Sequence, residues 1–287
     1  MTTIGFSLIA HNEEAHIATA LQSIQWADQI VVVDCESTDR TAAIASAFPK
    51  VRLFRQPNQA NLNLNKSFGI AQLTTDWIFY LDPDERIPAP LAEEIRRVVS
   101  DTPHQAFRLP RRNFFFGRWL AHGGQYPDTQ LRLFRRGKAR FPNRHVHESL
   151  EVDGSIGRLT EPFDHHPYPR LDDYLRKMNF YTSFQADFWG KEGRRPTPLD
   201  ALRFLALRPA SRFFRRYVLK GGFRDGWPGY IAALGDAFQI AVSYAKFLER
   251  QAGAAPNRSA APASPCRPDH PTTTAASPPT PGSGSAD

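Results

Sequence analysis

The sequence predicts an α/β fold with a mostly parallel central sheet and flanking helices. Short apolar runs alternate with amphipathic stretches at a spacing of roughly 25 residues, which is typical of parallel strands joined by crossover helices. The predicted strands cover residues 4–9, 30–33, 51–54 and 77–81. The predicted helices cover residues 17–24, 39–48, 62–73 and 90–100. The third strand is short, so we place it near an edge of the sheet.

The fourth strand is followed directly by three acidic residues, Asp82, Asp84 and Glu85. An unpaired charge is costly in a core, so we expect the chain to reach the surface at Asp82. Open α/β sheets bind ligands at the carboxyl ends of their strands. Carboxylate oxygens suit Mg²⁺ or Mn²⁺, which would in turn hold phosphates. The plain alternative is a solvated turn that caps the next helix.

Charge and motifs narrow the classes of function. The 287-residue chain has a net charge of +7, which indicates an anionic partner. Residues 1–100 hold eight basic and twelve acidic side chains, whereas residues 200–250 hold nine basic and four acidic ones. This separation argues against nucleic acid as a partner, since such binders spread basic residues over their main domain. The absence of a Gly-x-Gly-x-x-Gly turn and of a Walker lysine loop argues against dinucleotide and P-loop sites.

The middle of the chain offers a second group of candidate binding residues. Predicted strands at 106–110 and 130–134 flank a loop, 111–119, that is rich in phenylalanine and arginine. Such a loop is typical of a binding rim, although a hydrophobic plug with solvated arginines is an equal alternative. His165 and His166 match no structural zinc spacing, so we assign them no metal role.

The C-terminal third combines basic, aromatic and apolar residues. A helix is predicted over 170–190, and the apolar stretch 229–248 contains Asp236 and Lys246, which makes it too polar for a membrane span. We expect segment 203–224 to contact the anionic inner face of the cell membrane. The alternative is that its apolar face packs on the rest of the protein and its arginines are solvated.

Both ends of the chain bear on localisation. The N-terminus lacks a basic region and a long apolar segment, so we expect no signal peptide. Two cysteines give no disulfide framework, which favours a reducing compartment and a cytoplasmic protein, peripheral on the inner membrane face. From residue 252 the chain is rich in proline, alanine, serine and threonine, and we expect a disordered tail.

Several of these segments together resemble the family-2 glycosyltransferases of the GT-A fold, and most of all the branch that builds the bacterial lipopolysaccharide core. The matching segments are 7–14, 27–34, 37–41, 76–77 with 82–85, 127–128 with 132–135, 147–148 and 226–229. They extend over roughly residues 4–250. The chain departs from the family at Glu36, where members usually carry a glycine, and at Pro83, where they usually carry an alanine.

The resemblance implies roles for residues at the strand ends. Asp84 would bind Mg²⁺ or Mn²⁺ directly, and Asp82 would contact the metal through water or the donor ribose. Asp34 would pair with the uracil edge of the donor. The other nucleotide-sugar contacts would come from Ala10, Asn12, Glu13 and Lys66.

The residues alone leave plainer roles open for three of these positions. Asn12 is the expected N-cap of the first helix, and Glu13 is a favourable charge in its first turn. Lys66 is equally well explained as a solvated helix lysine. The resemblance further implies a catalytic base, for which Asp128 is the first choice and Glu148 the rival.

The resemblance implies an inverting transfer of a glucose-like sugar from a nucleotide donor, expected to be UDP-linked, to a lipopolysaccharide core or another surface glycan. Residues 1–100 would form the nucleotide-sugar half of the domain, 101–168 the acceptor and catalytic half, and 169–251 a helical extension. One alternative is a transferase of the same fold acting on a polyprenyl phosphate or making exopolysaccharide. Another is a non-catalytic protein that binds nucleotide sugars or nucleic acid.

Overall fold

A mixed sheet organises the first 168 residues of the protein. The computed structural model describes residues 1–59, 61–142 and 149–253. The strands are β1 (Ile4–Ala10), β2 (Gln29–Asp34), β3 (Val51–Arg55), β4 (Trp77–Leu81), β5 (Glu85–Arg86), β6 (Ala106–Phe115), β7 (Arg118–Trp119), β8 (Asp128–Arg135), β9 (Ala139–Arg140), β10 (Glu151–Val152), β11 (Ile156–Arg158) and β12 (Phe163–Tyr168). Within the described residues the sheet order is β3-β2-β1-β4-β8-β6-β12-β5, with β7 and β11 beside β6.

The N-terminal half of the sheet is parallel. β1 pairs in parallel with both β2 and β4, and β3 forms the edge beside β2. β8 is antiparallel to β4 and to β6, so it joins the two halves of the molecule into one sheet. The predicted α/β class with a mostly parallel sheet is confirmed, and so is the edge position of the third strand.

Helices cover both faces of this sheet and continue beyond it. They are α1 (Ile17–Ser23), α2 (Thr41–Ser46), α3 (Leu62–Ala71), α4 (Ala89–Ser100), α5 (Leu171–Lys191), α6 (Pro198–Leu202), α7 (Arg208–Phe214) and α8 (Gly226–Gly253). Side chains of α1 and α4 pack on one face of the sheet, where Phe6 stacks on Phe79 with ring centroids 5.0 Å apart. Those of α3 pack on the other face with Val31, Val33 and Ile78.

The phenylalanine- and arginine-rich stretch at 111–119 is not the predicted loop. β6 continues through Phe115, and β7 returns antiparallel to it after a turn at Phe116 and Gly117. Both turn residues have positive φ, 55° and 78°, a conformation that glycine adopts without steric cost. Side chains of this stretch therefore alternate between the two faces of the sheet and do not form a common rim.

The four C-terminal helices form a helical lobe, residues 171–253. α6 and α7 belong to one helical run, 198–219, that includes π-helical turns at Arg203–Leu207 and Arg215–Leu219. By length and composition alone, Gly222–Gly253 is long and apolar enough to cross a bilayer, which corrects the expectation that it is too polar. However, 39% of its apolar window is buried inside the protein, where α8 packs on α5 and α7.

Two contacts fasten the helical lobe to the sheet. The Asp225 carboxylate accepts the His122 backbone N–H at 2.8 Å and contacts the Nδ1 atom of the same residue at 2.8 Å. The Trp227 ring stacks on Phe116 with a centroid distance of 5.1 Å. The position of the lobe relative to the strand ends is therefore set by specific side chains.

Candidate active site

The predicted site residues meet because their strands are neighbours. Ala10 and Asp34 lie opposite each other at the ends of β1 and β2, and β4 delivers Asp82 on the other side of β1. The structure has a cleft of about 380 Å³ at these ends, which we call the donor cleft. Its lining includes Ala10, His11, Glu13, Cys35, Asn58, Lys66, Asp82, Asp84, His165, Tyr168, Lys177 and Tyr181.

Asp82 begins a tight turn that explains the unusual proline. The Glu85 N–H donates to the Asp82 carbonyl at 3.0 Å, which places Pro83 at the second position of a β-turn, where its fixed φ is favourable. The Asp82 carboxylate contacts Lys66 Nζ at 3.1 Å and Arg132 Nη2 at 2.9 Å. Burial alone would raise the pKa of Asp82, but the charges of Lys66 and Arg132 hold it far below its usual range.

Glu85 is fully buried, contrary to the expectation that the chain reaches the surface with all three acids. Arg132 approaches its carboxylate at 2.5 Å and Arg111 at 3.4 Å. Arg132 is itself buried and lies over the Tyr80 ring, 4.2 Å from the centroid. A buried charge is tolerated here because it has charged partners.

Asp84 has looser contacts than Asp82. Its Oδ2 atom lies 3.4 Å from His165 Nε2 and 3.7 Å from Lys177 Nζ. Burial raises the pKa of Asp84, but the hydrogen bond and charge of His165 outweigh it, and the pKa is lowered. Because both oxygens of Asp82 already contact cations, Asp84 is the better placed of the two for a direct bond to a metal.

The orientation of His165 would suit a ligand of a bound divalent cation, a role that the sequence did not predict. Asn113 donates through its amide nitrogen to Asp128, so its carbonyl oxygen faces His165 Nδ1 at 2.7 Å. Nδ1 therefore carries a proton, and Nε2 faces Asp84, to which its N–H donates when the ring is charged. A metal ion bound there would take the place of the Nε2 proton. Neighbouring ligands of one Mg²⁺ ion are about 3 Å apart. Asp84 and His165 thus fit a shared divalent cation.

Other ligands would have to complete such a metal shell. Among the described residues no group of three histidine, cysteine or acidic side chains is arranged to hold a metal. Magnesium-type sites commonly use one or two protein ligands together with water and substrate phosphates. The pair formed by Asp84 and His165 is consistent with that pattern.

Glu13 extends the negative charge of the donor cleft. Burial, together with the charges of Asp84 and Asp82, raises the pKa of Glu13 to about 7, while Lys177 opposes the increase. Its backbone N–H donates to Thr41 Oγ1 at 2.7 Å. The Glu13 carboxylate therefore lies in a cleft that disfavours its charged form, mainly through burial.

Asp34 lies beside the donor cleft without lining it, and one of its carboxylate oxygens is buried and unpaired within the part of the chain that the structure describes. The residue is only 2% exposed, and its Oδ1 atom has no hydrogen-bond partner among the described residues. A buried acceptor without a donor is costly, and the N–H of a base is a suitable donor. This observation is consistent with the predicted contact between Asp34 and the uracil edge.

Asn12 supports the loops of the cleft, and its predicted role as a helix cap is wrong. The N-cap of α1 is His16, and Asn12 lies in the preceding loop with a φ of 55°. Its side-chain oxygen accepts the Thr38 N–H at 2.8 Å, which ties the loop after β1 to the loop after β2. Glu36 in the second loop has a φ of 57°. The position therefore adopts the conformation for which family members use glycine.

Asp128 lies at the start of β8 and is surrounded by donors. Arg111 contacts its carboxylate at 2.6 Å, Asn113 at 3.2 Å and Gln130 at 2.7 Å. Burial raises the pKa of Asp128, but Arg111 and the other donors lower it further than burial raises it. Asp128 does not line the donor cleft and connects to it through Asn113 and His165. Glu148 lies outside the described residues.

Several residues of the site were missed in the sequence. Arg132, Asn113 and His165 come from β8, β6 and β12, and Lys177 comes from α5. None is adjacent in sequence to the acidic strand end. For Arg132 one signal was present, since a charged residue inside an apolar strand indicates a buried partner. Asn113 and His165 are positioned by the pairing register of β6 and β12, and Lys177 is positioned by the packing of α5.

Comparison with known proteins identifies the family. The model of Glycosyl transferase family 2 matches residues 7–165. The chain belongs to this family. This family-2 glycosyltransferase is 30% identical over 254 residues to the lipopolysaccharide core biosynthesis glycosyltransferase LpsC of Rhizobium meliloti (strain 1021), covering 85% of this chain and 92% of the relative. It is 28% identical to an uncharacterized glycosyltransferase of Rickettsia felis, with coverages of 87% and 90%.

Solved glycosyltransferase structures overlap only loosely with this family-2 enzyme. The structure of S. aureus TarS with UDP-GlcNAc has a TM-score of 0.47 and 13% identity, covering 86% of this chain and 89% of that one. Glucosyl-3-phosphoglycerate synthase from Mycobacterium tuberculosis, with Mn²⁺, UDP and product, has a TM-score of 0.42 and 18% identity, with coverages of 68% and 82%. The family assignment rests on the sequence matches.

Proposed function

We propose that this glycosyltransferase transfers a hexose from a UDP-sugar, with inversion, to the lipopolysaccharide core. The observation that carries the donor side is the pairing of Asp84 with His165 in one cleft with Lys66. The free oxygen of Asp34 lies at the neighbouring strand end. These groups provide a metal position, a cation for the diphosphate and an acceptor for the base. The acceptor is inferred from similarity to a protein named for lipopolysaccharide core biosynthesis.

A divalent cation fits the proposed reaction. Asp84 and His165 would hold Mg²⁺ or Mn²⁺, which when bound would act as a Lewis acid on the donor diphosphate. Asp82, fixed by Lys66 and Arg132, would contact the ribose or a water of the metal shell. Lys66 would add positive charge near the leaving diphosphate as its bond to the sugar breaks.

Two acids compete for the role of base. In the transfer, an acceptor hydroxyl oxygen attacks the anomeric carbon, the bond to the diphosphate breaks, and the hydroxyl proton passes to a carboxylate. Asp128 is ionised, as a base must be, but its lowered pKa makes it a weak one. Glu148 stays the rival. The base is the acid whose amide variant, Asp128→Asn or Glu148→Gln, loses turnover while retaining donor binding.

The donor proposal is tested by UDP release. Purified protein is screened across nucleotide sugars, each with Mn²⁺, Mg²⁺ or chelator, in the presence of lipopolysaccharide core oligosaccharide. We expect metal-dependent UDP release with a UDP-sugar and a loss of about 100-fold in Asp84→Asn. Asp153→Asn removes an exposed acid of the β10 end and serves as the matched control. Equal activity of the two variants would refute the metal site.

The acceptor class is tested separately with a labelled sugar. A pair of membrane-spanning helices near the C-terminus would favour a polyprenyl-phosphate acceptor, but the described residues contain one helix of sufficient length and apolarity. We therefore expect label to enter lipopolysaccharide core oligosaccharide and not polyprenyl phosphate. Transfer to polyprenyl phosphate alone would reverse this assignment while leaving the donor proposal intact.

We also propose a cytoplasmic location, peripheral on the inner face of the cell membrane. Apolar side chains of the helical lobe are unusually exposed, including Leu199 at 73%, Leu219 at 69% and Leu207 at 59%. Arginines alternate with them along the helical run 198–219. Basic and apolar groups on one surface are typical of interfacial helices. Fractionation of cells should find the protein with membranes and should release it in high salt.

A further inference from the structure

The helical lobe contains a cavity larger than the donor cleft. It has a volume of about 800 Å³ and lies between α5, the helical run 198–219 and α8. We call it the arginine cavity, after Arg208, Arg212 and Arg215 in its lining. Its other lining residues are Gln185, Trp189, Phe204, Ser211, Phe214, Leu219, Asp236, Gln239, Ile240 and Ser243. The donor cleft shares none of them.

The charges in the arginine cavity are unbalanced. Three guanidinium groups face one carboxylate, Asp236, which is already contacted by Arg212 at 3.5 Å and by Arg216. Arg208 and Arg215 form no ion pair with a carboxylate in the part of the chain that the structure describes, although Arg208 lies over the Phe204 ring at 4.6 Å. An anion would supply the missing partner, and guanidinium groups match phosphate oxygens in geometry.

Part of the remaining cavity wall is apolar, beside the polar residues Gln185, Ser211, Gln239 and Ser243. Trp189, Phe204 and Ile240 line its interior, and Phe214 and Leu219, 53% and 69% exposed, continue the apolar surface outward. A free inorganic anion would leave this wall in contact with water. A ligand that combines a phosphate with hydrocarbon would satisfy both the guanidinium groups and the wall.

We propose that the arginine cavity binds one phosphate-bearing lipid, with the phosphate on Arg208 and Arg215 and the hydrocarbon against Trp189, Phe204 and Ile240. This proposal rests on the proposed membrane contact for its choice of ligand. It does not depend on the donor chemistry, because no residue is shared. Under this proposal the protein would contact the membrane through a defined pocket as well as through a charged surface.

α5 connects this pocket to the donor cleft. Lys177 and Tyr181 line the donor cleft, and Gln185 and Trp189 line the arginine cavity. These four residues recur every fourth position and so lie along one face of the helix. The two pockets are therefore successive sites along one rigid element.

Vesicle binding tests the phosphate contact, using full-length protein without donor or metal. Wild type should sediment with phosphatidylcholine vesicles that contain phosphatidic acid. Arg208→Gln with Arg215→Gln should weaken this binding about thirtyfold. Arg158→Gln with Arg195→Gln removes the same charge from exposed positions outside the cavity and outside the helical run 198–219, and it should weaken binding about threefold or less. Equal losses in the two double variants would overturn the pocket in favour of diffuse surface charge.

Two further measurements keep the proposal falsifiable if a variant misfolds. Arg208→Lys with Arg215→Lys keeps the charge and should retain most of the binding, with a native circular dichroism spectrum. Ser211→Trp fills the cavity while leaving every arginine in place and should lose binding as the glutamine variant does. Full binding by Ser211→Trp would show that the cavity is not used, and the proposal would fall.

A soluble probe separates a lipid from a simple anion. Dihexanoyl phosphatidic acid, used as monomers, should raise the Tm of wild type, whereas inorganic phosphate at the same concentration should not. The Gln double variant should show no shift with either compound. Equal shifts with phosphate and lipid would identify an anion site only and would overturn the lipid assignment. UDP release by the same preparation reports on the donor proposal independently.

Discussion

The donor cleft and the arginine cavity lie along the same helix but balance their charges differently. The donor cleft sets Glu13, Asp82 and Asp84 against Lys66 and Lys177, whereas the arginine cavity sets three arginines against one carboxylate. Both are proposed to bind phosphate. In the donor cleft the carboxylates would do so through a metal ion, while arginines bind phosphate directly. The two sites should therefore respond to different perturbations.

The largest expected effect separates the two sites by chelator and salt. Excess EDTA should reduce UDP release to background and leave vesicle binding unchanged, because only the donor cleft needs a metal. Raising NaCl from 0.1 to about 1 M shortens the Debye length from about 10 to about 3 Å and should release the protein from vesicles. Donor KM, measured in the same salt series, should change much less. If EDTA also abolished vesicle binding, the two sites would not differ in their need for a metal.

The next effect concerns the stability that Arg132 provides by pairing with the buried carboxylate of Glu85. Arg132→Met leaves the buried Glu85 without its closest partner and should lower the free energy of unfolding by about 3–5 kcal/mol in urea denaturation. Arg135→Met, on the same strand, removes an arginine that contacts the Thr102 and His104 carbonyls and the Trp77 ring but, among the described residues, no carboxylate, and it should cost less. Adding Glu85→Gln to Arg132→Met should recover part of the loss. No recovery would mean that Arg132 acts by packing.

A smaller effect should distinguish two adjacent histidines. His165→Ala removes the ring beside Asp84 and should raise the Mn²⁺ concentration for half-maximal UDP release about 10- to 100-fold. His166→Ala removes a ring that stacks on Phe114 at 4.6 Å and should leave that midpoint unchanged. Similar midpoints in both variants would exclude His165 as a ligand. Vesicle binding of both variants should match wild type.

The smallest expected effect concerns the strained loop at the edge of the donor cleft. Glu36→Gly relieves a left-handed conformation worth about 1 kcal/mol, but it loses the hydrogen bond from the Asn58 N–H at 3.0 Å. The two contributions nearly cancel, so stability should change by less than about 1 kcal/mol. Glu36→Ala keeps the strain and loses the bond, and it should be the less stable variant in the same thermal melts. If Glu36→Gly proved the less stable of the two variants, backbone strain at Glu36 would not be the cause of the difference.

The sequence predicted those parts of the molecule that depend on neighbouring residues. The apolar runs of β1, β2 and β4 are buried strands, and the polar residues after them share one sheet edge because parallel strands end together. Asp34, Asp82 and Asp84 follow neighbouring strands as expected, and Lys66, which the family resemblance suggested, contacts Asp82. Their individual roles in binding stay predictions.

The parts that sequence reasoning missed depend on distant residues. Glu85 is buried only because Arg132 arrives from β8, and His165 faces Asp84 only because β12 pairs with β6 and β5. The spacing of apolar residues along the sequence gives no information about which distant strands pair. The stretch at 111–119 continues a strand where a loop is predicted, and Arg111 in it has Asp128 and Glu85 as partners.

The four-residue spacing of side chains along α5 has a geometrical consequence for the acceptor. Lys177 and Trp189 are twelve positions apart, which corresponds to about 18 Å of helix at 1.5 Å per residue. A rigid spacer of that length separates the donor cleft from the apolar wall of the arginine cavity. A lipid held in that cavity would therefore fix how far the donor cleft stands from the membrane.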